Sequence, residues 1–222
     1  LSFIFFEVLK EKYVLLIYKN RKNEMMLENW PYLHYLLGAF VGVGLAAASG
    51  FRVFLPMFVV SLASYLGWIP IGENFSWLTG LPTVIATGIA TVVEIFAYYI
   101  PYVDHLLDSL SVPMTTVAGA VLFASQFTGL DAFPLWALAL IAGGGTAATI
   151  SSGFAGVRAV STATTGGLGN SVVATSETAG AGLMSALALA LPIIAVVVSV
   201  VLVLTVLVYG RKLWRKLSIS KT

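Results

Sequence analysis

Between Lys22 and Arg211 the chain carries only two lysine or arginine side chains, Arg52 and Arg158, and the apolar runs around them lack the charges a water-facing surface needs. Uncharged runs of about 20 residues form helices of about 30 Å, the thickness of a bilayer's hydrocarbon core. Composition agrees with this reading. Of the 222 residues, 59% are apolar and 10% charged, whereas a soluble domain carries roughly a quarter charged. The expectation is an all-α, polytopic transmembrane helical bundle, and a water-facing globule is excluded. The absence of cysteine removes disulfides, thiolate metal sites and cysteine nucleophiles. A net charge of +2, with basic residues gathered at the chain ends, points to lipid headgroups and topology rather than nucleic acid.

Six apolar segments emerge from the pattern, at about 33–49, 53–68, 82–101, 113–127, 132–150 and 183–209. The last is about 40 Å long at ~1.5 Å per residue, so it must tilt or kink, with Pro192 as the expected place. Residues 1–24 read as a basic, amphipathic extension too short to span, and Met25 or Met26 is an alternative start. Residues 25–210 form a single transmembrane domain, and 211–222 a basic tail. An even number of crossings with basic clusters at both ends predicts a multi-pass protein with a cytoplasmic C-terminus. Arg52 and Arg158 then fall on the side that usually lacks positive charge. Either some segments are re-entrant, or these two arginines have a specific job.

The stretch 143–182 differs in kind, since it holds ten of the 21 glycines among Ala, Ser, Thr and Val. It is too polar for a lipid-facing helix and too apolar for a solvated loop. The expectation is broken or re-entrant backbone buried within the bundle, with a flexible linker as the other reading. In the first segment Gly38, Gly42 and Ala46 recur every four residues, a pattern for close helix packing.

Three constellations carry candidate chemistry. Ser49-Gly50-Phe51-Arg52-Val53 and Ala155-Gly156-Val157-Arg158-Ala159 share a small-Gly-apolar-Arg-apolar pattern, as internal repeats of transporters do. A guanidinium within the bilayer needs an acidic or phosphate partner, and its planar fork suits bidentate recognition of such groups. The other reading is an interfacial turn from which each arginine reaches headgroups. Secondly, Thr83, Thr87, Thr91, Glu94 and Tyr98 fall on one stripe of the third segment at about 100° per residue. That stripe predicts either a lined path with a protonatable carboxylate or a structural Glu94–Arg pair. Glu177 is the matching carboxylate in the Gly-rich stretch.

The third is the run 161–170, in which Gly166, Gly167, Gly169 and Asn170 offer exposed backbone amides for an anion-binding nest, ahead of a helix that starts near Asn170. Asp104, His105 and Asp108 look like hard-metal ligands but also like ordinary polar residues at a helix end. No nucleophile arrangement or zincin motif is visible, so no enzyme, cofactor or metal is expected.

GVGLAAASGFRVFLP (42–56) and GFAGVRAVSTATTGGLGN (153–170), with Glu177 close behind, resemble the bacterial membrane family catalogued as domain of unknown function 4126, over about 33–192. Ser171 stands here where that family typically has Pro after the GlyGlyLeuGlyAsn run. The resemblance implies a bacterial-type integral membrane protein, hence the inner membrane, and brings no activity with it. From the residues themselves, the expected function is a small transporter or flippase-like protein. Its site would bind an anionic solute or lipid through Arg52, Arg158, Glu94, Glu177, Gly166, Gly167, Gly169 and Asn170. The rival expectation is a non-transporting membrane subunit or scaffold, with lipid and a second copy of the chain as candidate neighbours.

Overall fold

The computed structural model describes residues 33–100 and 103–219; the expectations for 1–24 and for Met25 and Met26 lie outside the described residues. Every described element is helical. We number them α1 (Leu33–Phe51), α2 (Phe54–Tyr65), α3 (Leu81–Ala97), α4 (Val103–Ala124), α5 (Ala132–Leu138), α6 (Gly145–Thr165), α7 (Asn170–Ala190) and α8 (Pro192–Ile219). A 3-10 segment, Glu73–Thr79, precedes α3, and a π-helical segment, Ala139–Gly144, joins α5 to α6. Among the described residues, five helical stretches are long and apolar enough to cross a membrane, or six if the 3-10 segment and α3, bent by 65°, count as one. The chain is a helical membrane protein.

The bundle is built around α1, which packs on α4, α6, α7 and α8. Small residues make this possible. A Cβ on Gly42 would sit 2.8 Å from the Phe123 ring, and one on Gly38 2.8 Å from the Gln126 carbonyl, so the every-fourth-residue pattern does bring α1 against α4. On the far side Gly44 meets Ala188 of α7 and Ala195 of α8. Gly143 in the π-helical segment faces the Gly119 carbonyl of α4 with no room for a methyl group. Val197, Val201, Leu204 and Val208 of α8 are exposed and apolar, as lipid contact requires.

Prolines set the breaks. Pro56 cannot donate to the carbonyl of Arg52, and its ring crowds that group, so α1 ends at Phe51 and α2 begins at Phe54. The expected long final segment is likewise two helices. Leu191 leaves the helical region (φ −139°, ψ 67°) and Pro192 opens α8, so the break falls at the expected proline.

The Gly-rich stretch takes a more regular form than a re-entrant loop. Residues 145–165 and 170–190 are two unbroken helices joined by a tight turn. In that turn Gly166 (φ +63°) and Gly167 (φ +92°) adopt left-handed backbone, which side chains with a Cβ resist. The glycines within the helices serve packing and the pair at the tip serves the turn. Composition alone cannot separate those uses from irregular backbone. A bend of 65° falls at Gly80, before α3.

The two Gly-Xaa-Arg motifs differ in context. A Cβ at Gly50 would lie 2.8 Å from Ile150 Cβ and 2.9 Å from the Ala147 carbonyl, whereas Gly156 has nothing within 4 Å. Gly50→Ala is therefore expected to lower the thermal unfolding midpoint in detergent, by overpacking worth roughly 1–3 kcal/mol. Gly156→Ala should leave that midpoint unchanged or raise it, since alanine is the better helix former by about 1 kcal/mol.

Candidate functional site

Six charged side chains converge at one end of the bundle. Arg52 follows α1, Glu94 closes α3, Asp104 and Asp108 open α4, Arg158 lies seven residues before the end of α6, and Glu177 seven residues after the start of α7. At ~1.5 Å per residue the last two sit roughly 10 Å inside their helix ends. Helix periodicity explains the convergence on α4, because Asp104 and Asp108 are one turn apart and share a face.

Arg158 is 3% exposed and saturated with carboxylates. Its Nε donates to Glu177 Oε1 at 3.1 Å and its Nη2 to Glu177 Oε2. Its Nη1 donates to Asp104 Oδ1 at 2.6 Å and Asp108 Oδ1 at 2.8 Å. Asn170 completes this node, with Nδ2 donating to Asp104 Oδ2 at 3.0 Å and Thr162 Oγ1 at 3.1 Å. The node thereby ties α4, α6 and α7 together.

Arg52 is more deeply buried, at 1% exposed, yet less satisfied. Its Nη2 donates to the Ala174 carbonyl at 2.8 Å and lies 3.5 Å from Glu177 Oε2. Among the described residues, its Nε and Nη1 have no hydrogen-bond partner. Both guanidiniums lie over the Tyr98 ring, Arg52 at 3.9 Å and Arg158 at 4.1 Å from its centroid, an arrangement favoured by the ring quadrupole. Glu94 pairs with neither arginine directly. Its Oε1 accepts from the Val53 amide at 2.8 Å and its Oε2 from the Phe54 amide at 3.0 Å, so it caps the start of α2 from another helix.

These groups line a small, partly open cleft, among them Arg52, Glu94, Tyr98, Asp108, Arg158 and Glu177. Two guanidiniums here face four carboxylates.

The expected site residues divide accordingly. Arg52, Arg158, Glu94 and Glu177 line one cleft, and Asn170 reaches them through Asp104. Gly166, Gly167 and Gly169 do not join them, and the proposed amide cradle is corrected. Leu168 N bonds the Thr165 carbonyl, Gly169 N the Thr165 Oγ1, and Asn170 N the Gly167 carbonyl, so these three amides are used within the turn. The hydroxyls of Thr87 and Thr91 also turn back, onto Thr83 O and Thr87 O, while Glu94 and Tyr98 of the same stripe line the cleft.

Asp104, Asp108 and Tyr98 are the additions that sequence reading did not assign to the site. The spacing of the two aspartates was the available signal, but it read as ordinary polar residues at a helix end or as metal ligands. Among the described residues no cluster of three or more His, Asp or Glu side chains suits a metal ion, and the His105 side chain lies outside them.

A multi-pass helical protein with a buried arginine–carboxylate node is the class that fold and site define. Residues 39–212 match the family described as Domain of unknown function (DUF4126), and the chain belongs to that family. No curated protein and no solved structure matches it.

Removing one member of a buried ion network leaves its partners uncompensated, at a cost of about 3–5 kcal/mol. Arg158→Ala is expected to cause the largest loss of thermal stability at this node, and Asp104→Asn a smaller one. Asp108→Asn, whose side chain is 22% exposed, should cost least. Tryptophan-fluorescence melting of the purified variants ranks the three.

Proposed function

We propose that this protein is a small membrane transporter or flippase-like protein that takes an anionic group, carboxylate or phosphate, of a solute or lipid at Arg52. One observation carries the reading: a buried arginine lines a cleft, and two of its donor nitrogens meet no acceptor among the described residues. A buried donor without a partner is costly, and Arg is suited to grip a planar oxyanion through adjacent N–H groups. Arg158, already committed to Glu177, Asp104 and Asp108, acts as a positioning residue for Glu177.

Charge balance shapes the mechanism. With four carboxylates against two guanidiniums, an arriving anion adds to a negative excess, so it enters most readily with a positive charge. Glu177, which bridges toward both arginines, is the group to exchange that charge, as a coupling proton. The reading includes no chemical transformation of the ligand. It sets the protein in a bacterial inner membrane, surrounded by lipid, with Arg211, Lys212, Arg215, Lys216 and Lys221 on the cytoplasmic side.

The second reading, a membrane subunit or scaffold, is favoured by the saturation of Arg158 and by the capping role of Glu94, both of which fix helix positions. The two separate at Arg52. Titration calorimetry of protein in nanodiscs with acetate, inorganic phosphate or phosphatidylglycerol vesicles is expected to show binding of one of them. Arg52→Lys should weaken it about tenfold or more, since a charge-assisted hydrogen bond is worth roughly 1.5–3 kcal/mol. Unchanged affinity in Arg52→Lys, or no binding of any of the three, would leave the scaffold reading standing.

A further inference from the structure

The start of α2 is an anion-binding arrangement that already holds an anion, and the anion belongs to the protein. Helix N-termini present unpaired amides and a positive dipole end. Their usual cap is a side chain adjacent in sequence. Here Val53 caps nothing with its side chain, and the carboxylate comes from Glu94, 41 residues along the chain on α3. The two oxygens of Glu94 take one amide each. Pro56, in the first turn of α2, has no amide to satisfy.

Two further observations suggest that this occupant is replaceable. Arg52 precedes the two amides in the chain, is buried, and lines the same cleft with Nε and Nη1 unpartnered. Arg52 thus brings to the cleft donor capacity that Glu94 leaves unused. In addition, α3 packs chiefly against α2 and the 3-10 segment, not against the central helices, and its face bearing Ile85, Ile89, Val92, Val93 and Phe96 is exposed. Glu94 can therefore withdraw without repacking the core around α1.

We propose that the Val53 and Phe54 amides and the open edge of Arg52 form a seat for the carboxylate of a small solute, which Glu94 fills as a tethered stand-in until the solute displaces it. The proposal rests on the anion-binding reading of Arg52 and narrows it to carboxylates. A planar group with two oxygens spaced like those of Glu94 matches the amides one to one. When the solute leaves, Glu94 returns, so the buried amides always have an acceptor.

Chemical rescue tests this without any transport assay. Glu94→Ala empties the seat, and its melting midpoint in detergent is expected to fall by roughly 5 °C or more. Acetate at about 100 mM should restore a substantial part of that loss by binding the folded state. Sodium chloride at equal ionic strength should not, and wild type, whose seat Glu94 already fills, should need a higher acetate concentration than Glu94→Ala for any rise. Adding Arg52→Lys to Glu94→Ala should raise the acetate concentration needed for half-recovery.

Equal recovery in chloride, recovery with phosphate but not acetate, or no recovery in either would overturn the carboxylate seat. Should Glu94→Ala be too unstable to purify, extraction with and without acetate decides the matter. Folded protein only with acetate supports the seat, and none with either overturns it. If rescue fails while wild type still binds an anion through Arg52, only this inference falls.

Discussion

A guanidinium within apolar helices has to be neutralised by protein, and the position of Arg158 on α6 passes that demand to its neighbours. Left unpaired there it would cost several kcal/mol or more. The demand is met from two directions at once, by Glu177 on α7 and by Asp104 and Asp108 on α4. Each partner constrains the rotation of its own helix, because a helix turned by one residue, about 100°, carries its carboxylate away. The same node orients Glu177 toward Arg52 and, through Asp104, anchors Asn170 at the start of α7. Three helix ends are thereby fixed around one side chain.

Close packing makes that convergence reachable. Gly119 on α4 admits Ala147 and the Gly143 carbonyl, and Gly50 on α1 admits Ile150 and Ala147. The π-helical turn at Ala139–Gly144 lies in the long span formed by α5 and α6, where its glycines approach α4. Such turns insert one residue into the ladder and rotate the face of the helix beyond them. The face of α6 that carries Arg158 is thus set partly by that insertion. The stability of the node and the small-residue contacts are one property seen at two places.

The two arginines share a motif and a neighbour in Tyr98 but not a role. Arg158 sits in mid-helix, where side chains from α4 and α7 close over it. Arg52 sits at the break that Pro56 imposes, where the backbone departs from the helix and a cleft remains. One guanidinium is consumed by structure and the other retains donors, a difference of local backbone and not of side-chain chemistry. Glu94 belongs to the same break, since it supplies the acceptors that interrupted helix lacks.

Hydropathy by itself determined that the chain is an all-helical membrane protein, because apolar length is a local property that each segment carries alone. Helical periodicity likewise marked Thr87, Thr91 and Glu94 as an inward face, and these are the buried residues of α3. The glycine spacing of α1 was legible for the same reason. Tertiary structure alone decided that residues 143–182 form a helical hairpin, since small residues look the same in a tight helix contact as in irregular backbone. It alone brought Asp104 and Asp108, 54 and 50 residues away in the chain, to Arg158. Pairing of charges depends on which helices lie side by side, and that arises from packing across the whole bundle, which no local pattern encodes.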